Sequence, residues 1–147
     1  CKLLAIVRPD RAYFGQKDGQ QSLVVRRLNA DLNLGAEIVV VPTVREADGL
    51  ALSSRNVYLG PEERSAATVL YRALSLARDL GISDAEETRR QMRALIESET
   101  LALIDYVSIA DAATLEELDQ ISGPALASLA VRIGKTRLID NIVFERT

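Results

Sequence analysis

Histidine is absent from the 147 residues, and with it the commonest general acid/base and every Ser-His-Asp or Cys-His catalytic arrangement. Hydrolases of those kinds are excluded. The lone cysteine, Cys1, cannot form an internal disulfide, and without imidazoles no thiolate–imidazole metal site can be assembled. No metal-ligating residue is nominated; a metal would come through oxygen ligands or arrive with a ligand. Tryptophan is also missing and aromatics make up only 4%. No apolar run approaches the roughly 18–20 residues that a membrane-spanning helix needs, and no basic-then-apolar leader opens the chain. The expectation is a cytoplasmic protein with no membrane partner.

What is present is the balance of an ordinary globular protein, 48% hydrophobic and 27% charged. The net charge of −3 offers no overall cationic surface, so no nucleic-acid partner is expected. The charge is uneven. Residues 1–60 hold eight Lys/Arg against six Asp/Glu, whereas residues 61–147 hold ten against fifteen. An anionic ligand is therefore expected at the first part. The opening Cys1-Lys2-Leu3-Leu4, already inside an apolar run, reads as the interior of a structural element, as in a fragment.

Cys1–Val7 fits either a helix tail or a strand, and Pro9 stops it. Ala12-Tyr13-Phe14 reads as a short strand ending at Gly15. A helix capped by Asp18 then runs to about Leu32, with Gln21, Val24, Val25, Leu28 and Leu32 at helical spacing. Gly35 is a stop signal, and Glu37–Val41 (EIVVV) is a β-branched strand closed by Pro42. Strand–helix–strand is the parallel α/β pattern. Residues 43–60 show no period and read as a loop with a turn at Asp48-Gly49.

Pro61 opens one long helix with an apolar stripe from Ala66 to Leu80, ended by Gly81. Ser83-Asp84-Ala85-Glu86 has the form of a capping box for a more polar helix with Met92, Leu95 and Ile96 inward. Leu103–Ile109 is a strand and Thr114-Leu115-Glu116-Glu117 a short capped helix. Leu126–Ile133 and Thr136–Phe144 form a hairpin through Gly134-Lys135. The expected fold class is α/β, a parallel strand–helix–strand unit over 1–43 followed by a small α+β domain with an antiparallel sheet over 44–147.

Two segments crowd polar residues beside glycine. In Pro9–Gln21, Gly15, Lys17 and Asp18 stand at the exit of a parallel strand into a helix. Backbone N–H groups and the helix dipole favour an anion there. Lys17 adds a point charge, and Asp18 could accept from ribose hydroxyls. Alternatively, Asp18 only caps the helix and Lys17 is solvated. In Arg45–Asn56, adjacent hydroxyls of Ser53 and Ser54 precede Arg55, a donor set suited to polyphosphate oxygens. Alternatively, the serines satisfy loop backbone and Arg55 pairs with an acidic neighbour. Tyr13, Phe14 and Met92 are assigned to the core. Asp105, Asp140 and Asn141 are assigned structural, buried and hydrogen-bonded roles.

PDRAYFGQKDGQQ followed by PTVREADGLALSSRN resembles the pantoate–β-alanine ligases of the nucleotidyltransferase superfamily, and TRLIDNI is similar to that family's closing strand. The resemblance implies a Rossmann-like nucleotide-binding domain and a small carboxyl-terminal lid. It also implies ATP and Mg²⁺, with pantoate and β-alanine as the other substrates, a pantoyl-adenylate intermediate, and a homodimer for the complete enzyme. By motif, Gly15 and Asp18 would hold ribose and Lys17 the phosphates. Gln21 would bind pantoate, and Val44 and Leu52 the adenine edge through their backbones. Ser53, Ser54 and Arg55 would meet the β- and γ-phosphates. Lys17, Ser53, Ser54 and Arg55 are the expected catalytic residues.

The chain departs from the family at Gln16, where Glu is usual, and at Leu52, where Met is usual. The family's His-X-Gly-His motif lies outside this sequence, so the expectation is that the chain is inactive alone. The other readings are a non-catalytic dimerisation or regulatory module and a different adenylate-forming synthetase.

Overall fold

The computed structural model describes residues 1–145. The chain divides into two compact units, Cys1–Thr43 and Val44–Thr147. In the first, Cys1–Val7 resolves as a helix, α1 (Lys2–Val7), closed by Arg8 in the left-handed conformation. Strand β1 (Arg11–Gly15) is followed by a 3-10 turn at Gln16–Asp18, helix α2 (Gly19–Asp31) and strand β2 (Glu37–Val41). The two strands pair in parallel, Arg11 opposite Glu37 through Gly15 opposite Val41. The Asn29 amide donates to the Ala36 carbonyl at 2.8 Å, tying the end of α2 to the entry of β2. A sheet of two strands offers little surface to bury against. Accordingly Val24, Leu32 and Tyr13 are exposed, Tyr13 by 63%, so the assignment of Tyr13 to the core is corrected.

The second unit is a three-stranded antiparallel sheet in the order β3 (Ala102–Asp111), β4 (Ala125–Ile133), β5 (Thr136–Phe144). Helices α4 (Val69–Asp79) and α5 (Ala85–Glu97) pack on it. The central strand β4 is buried at every position but Arg132, which explains its almost uninterrupted apolar run. Leu70, Leu74, Met92, Ile96, Ile109, Leu129, Val131 and Ile133 form the interior. Each large side chain there is worth about 2–5 kcal/mol against alanine. The β4–β5 turn is Gly134-Lys135 as expected, with Gly134 at φ +56.

The single long helix expected from Pro61 is two: α3 (Pro61–Ala66) and α4, broken at Ala67-Thr68. The Thr68 amide and hydroxyl both donate to the Ser65 carbonyl, and this three-residue pattern interrupts the helical ladder. The cap of α5 is Asp84 rather than Ser83; its carboxylate accepts from the Glu87 amide at 2.9 Å. No helix forms at Thr114–Glu117. Asp111 accepts from the Ala113 and Thr114 amides, and Leu115 takes φ +64, which a right-handed helix cannot include. Residues 43–60 are not all loop, since Ser54–Tyr58 is a 3-10 helix and Arg45 bridges Ala51. No helix among the described residues is long and apolar enough to cross a membrane.

Candidate active site

The first segment sits at the carboxyl end of β1. Gly15 is extended at φ −73, and a Cβ there would meet nothing within 4 Å. Neither backbone conformation nor packing requires glycine, so its effect is an open stretch of approachable backbone. The 3-10 turn then delivers the chain into α2, whose first turn contains no acidic residue. Asp18 occupies the N-cap position, but its side chain accepts no capping hydrogen bond. The amide groups opening α2 therefore lack a side-chain cap from Asp18, and its exposed carboxylate is available to other partners. Lys17 is half-buried, and Gln21 is exposed one helical turn after Asp18.

The second segment, within the other unit, is held by arginines that sequence reasoning did not single out. The Arg45 guanidinium donates to both Asp140 oxygens at 2.6 and 3.0 Å, to the Gly49 carbonyl at 3.1 Å and to the Asn141 carbonyl at 3.3 Å. It also lies 4.3 Å from the centre of the Tyr71 ring. The Asp140 side chain is only 2% exposed, so the pair fixes the loop to β5 inside the fold. Gly49 completes this clamp: at φ +91, its Cβ would fall 2.0 Å from Tyr71 Cδ1. Arg64 of α3 donates to Asp48 at 2.8 and 3.1 Å and to Glu46 at 2.7 Å. The hydrogen bond from Arg64 holds the Asp48 carboxyl below the usual carboxylate range, and Asp48 and Glu46 together raise Arg64.

On this frame the Arg45–Ala51 bridge uses the Leu52 amide, which donates to the Val44 carbonyl at 2.9 Å. The Val44 amide and the Leu52 carbonyl make no backbone hydrogen bond among the described residues, and both side chains are exposed. Ser53 Oγ accepts from the Arg55 amide at 3.2 Å, so this serine does satisfy loop backbone. Ser54 is exposed. Arg55 does not pair with an acidic neighbour among the described residues; Nη1 donates to the Arg137 carbonyl at 3.4 Å. Beside it opens a cavity of about 550 Å³ lined by Arg55, Tyr58, Lys135, Thr136 and Arg137.

Asp140 and Asn141 are buried, 3% and 4% exposed. Asp105 is not. It sits at an irregularity between Ile104 and Tyr106, where Arg137 Nε and Arg132 Nε reach its two oxygens at 2.6 and 3.1 Å. Those bonds, Arg137 first, hold its carboxyl below the ordinary value.

The family model described as pantoate-beta-alanine ligase matches residues 1–143. The chain belongs to this family. It is 62% identical over 148 residues to a pantothenate synthetase of Roseiflexus sp. (strain RS-1), covering 99% of this chain and 53% of that relative. It is 58% identical over 145 residues to one of Pelotomaculum thermopropionicum, covering 97% and 51%. Among solved structures, pantothenate synthetase from Thermus thermophilus superposes with a TM-score of 0.90 at 47% identity, over 96% of this chain and 52% of that one. The pantoate-beta-alanine ligase of Francisella tularensis, solved with beta-gamma ATP and beta-alanine, gives 0.66 at 32% identity, over 97% and 46%. The chain spans about half the length of the curated relatives it matches.

Proposed function

We propose that this chain supplies the carboxyl-terminal half of an enzyme that condenses pantoate with β-alanine at the expense of ATP, by way of pantoyl-adenylate, releasing AMP and pyrophosphate. What supports the reading most is that the family match over residues 1–143 takes in both polar segments. The first unit contributes the end of the nucleotide-binding domain and the second is a lid that shields the acyl-adenylate from water.

The pantoate carboxylate is already a nucleophile, so its attack on the α-phosphorus needs no general base, and histidine is dispensable in this half. A P–O bond to the distal phosphates breaks as the acyl phosphate bond forms; the amine of β-alanine then displaces AMP. The protein's work is placing charge where pyrophosphate departs. Lys17 and Arg55 supply that charge, with Ser53 and Ser54 as hydroxyl donors. Asp18, free of a capping bond, accepts from the ribose beside the open backbone of Gly15. The Val44 amide and Leu52 carbonyl give the donor and acceptor an adenine edge requires, and Gln21 faces pantoate.

Magnesium is the counter-ion expected of such chemistry. Among the described residues no three His, Cys, Asp or Glu side chains group to hold a metal ion. An ion carried in on the phosphates of ATP needs no more than one or two protein carboxylates, and no step is assigned to it. The test is a chimera joining this chain to the remaining half of the Roseiflexus sp. relative. The soluble chimera should form pantothenate and AMP only when pantoate, β-alanine and ATP are all present, while the 147-residue chain alone should not turn over. Turnover by the isolated chain, or a folded but inert chimera, would contradict the proposal.

A further inference from the structure

The cavity beside Arg55 has a composition the rest of its unit does not. Residues 44–147 hold twelve Lys/Arg against seventeen Asp/Glu, yet the five lining residues include three cations, two hydroxyl-bearing side chains and no carboxylate. The β4–β5 hairpin presents Lys135, Thr136 and Arg137 together, and its turn lies against the Glu63 side chain. A Cβ on Gly134 would fall 1.9 Å from Glu63 Oε1, and that glutamate is itself held by the Gly60 amide at 2.9 Å.

The charges are only partly neutralised. Asp105 is shared between Arg132 and Arg137 through their Nε atoms, leaving that trio one positive charge in excess. The Nη groups of Arg137 have no hydrogen-bond acceptor among the described residues. The Lys135 ammonium has no partner among them either and is exposed. Arg55 contributes one long bond to the Arg137 carbonyl. Two guanidinium forks, an ammonium and two hydroxyls around one hollow suit an extended polyanion with several oxygens better than a single carboxylate.

We propose that this cavity is a diphosphate subsite, in which Lys135 and Arg137 share with Arg55 the charge of a P–O–P group. The inference rests on the reading that Arg55 meets the distal phosphates, and extends it to a hairpin about 80 positions further along the chain. The diphosphate has two sources, the far end of ATP or free pyrophosphate after cleavage.

The 147-residue chain, ¹⁵N-labelled, is titrated at constant ionic strength with inorganic pyrophosphate, orthophosphate, ATP and AMP, and the amide signals of residues 55–58 and 134–137 are followed. Pyrophosphate should move these signals and bind at least about tenfold more tightly than orthophosphate. Lys135→Ala should weaken it about five- to tenfold, and Lys135→Arg should restore it. Lys135 is exposed, so these variants leave the fold intact. If ATP moves the hairpin signals and AMP does not, the subsite takes the substrate's distal end; if only pyrophosphate moves them, it takes the leaving group. Weakening by Arg55→Ala but not by Lys135→Ala would overturn the inference and leave the reading of Arg55 standing. Weakening by neither, or shifts confined to other residues, would overturn both.

Discussion

Gly49→Ala tests the frame on which the serine–arginine loop is built. At φ +91 any L side chain is strained, at a cost of about 1–3 kcal/mol. The added methyl would also lie 2.0 Å from Tyr71 Cδ1 and 2.7 Å from Cε1, so the ring must move. Moving it disturbs the Arg45–ring contact, worth about 0.5–2 kcal/mol, and strains the Arg45–Asp140 pair behind it. The sum is a loss of about 2–5 kcal/mol, read as a fall in melting temperature of about 5–20 °C by circular dichroism. Two comparisons separate the contributions. Gly81 has a similar φ of +64 but open space around it, so Gly81→Ala should cost only the backbone part, about 1–2 kcal/mol. In a Tyr71→Ala background the clash is gone, and Gly49→Ala should again cost only that part. Equal losses with and without the Tyr71 ring, or no loss at all, would refute the reasoning.

Arg45→Met should cost about 3–5 kcal/mol in urea unfolding, because Asp140, 2% exposed, is left without its partner. Asp140→Asn in the Arg45→Met background should recover part of that loss. The Asp105 carboxyl should titrate below its ordinary 3.8 by NMR, and Arg137→Gln should raise its midpoint. Because its pKa is depressed in the fold, Asp105 contributes stability above the unfolded value that is lost as pH falls through the folded one. The difference in stability between native chain and Arg137→Gln should therefore shrink below about pH 4.

Elements whose signals are local were legible in the sequence. The Gly134-Lys135 turn, the β-branched run of β2 and the inward Met92 and Ile96 of α5 each follow from a few neighbouring residues. The break at Thr68 was not legible, since a hydroxyl that bonds Ser65 leaves the apolar stripe unchanged. The left-handed Leu115 was hidden for a similar reason: Asp111 imposes it through the preceding amides. At the candidate site the two polar segments were legible from glycine, hydroxyl and charge in close sequence. Their support was not, because Arg45 reaches a partner 95 positions away. Buried aspartate in a strand was the available signal, and it marked Asp140 as structural without naming the arginine that answers it. Tyr13 was misplaced because an aromatic residue in a short strand says nothing of what covers its face.

The most direct measurement is the single-turnover rate of pantoyl-adenylate formation in the chimera with Lys17→Ala and, separately, Arg55→Ala. If both side chains hold the phosphates as they depart, each substitution should slow that step by about 100-fold or more. A rate unchanged by either would contradict the account.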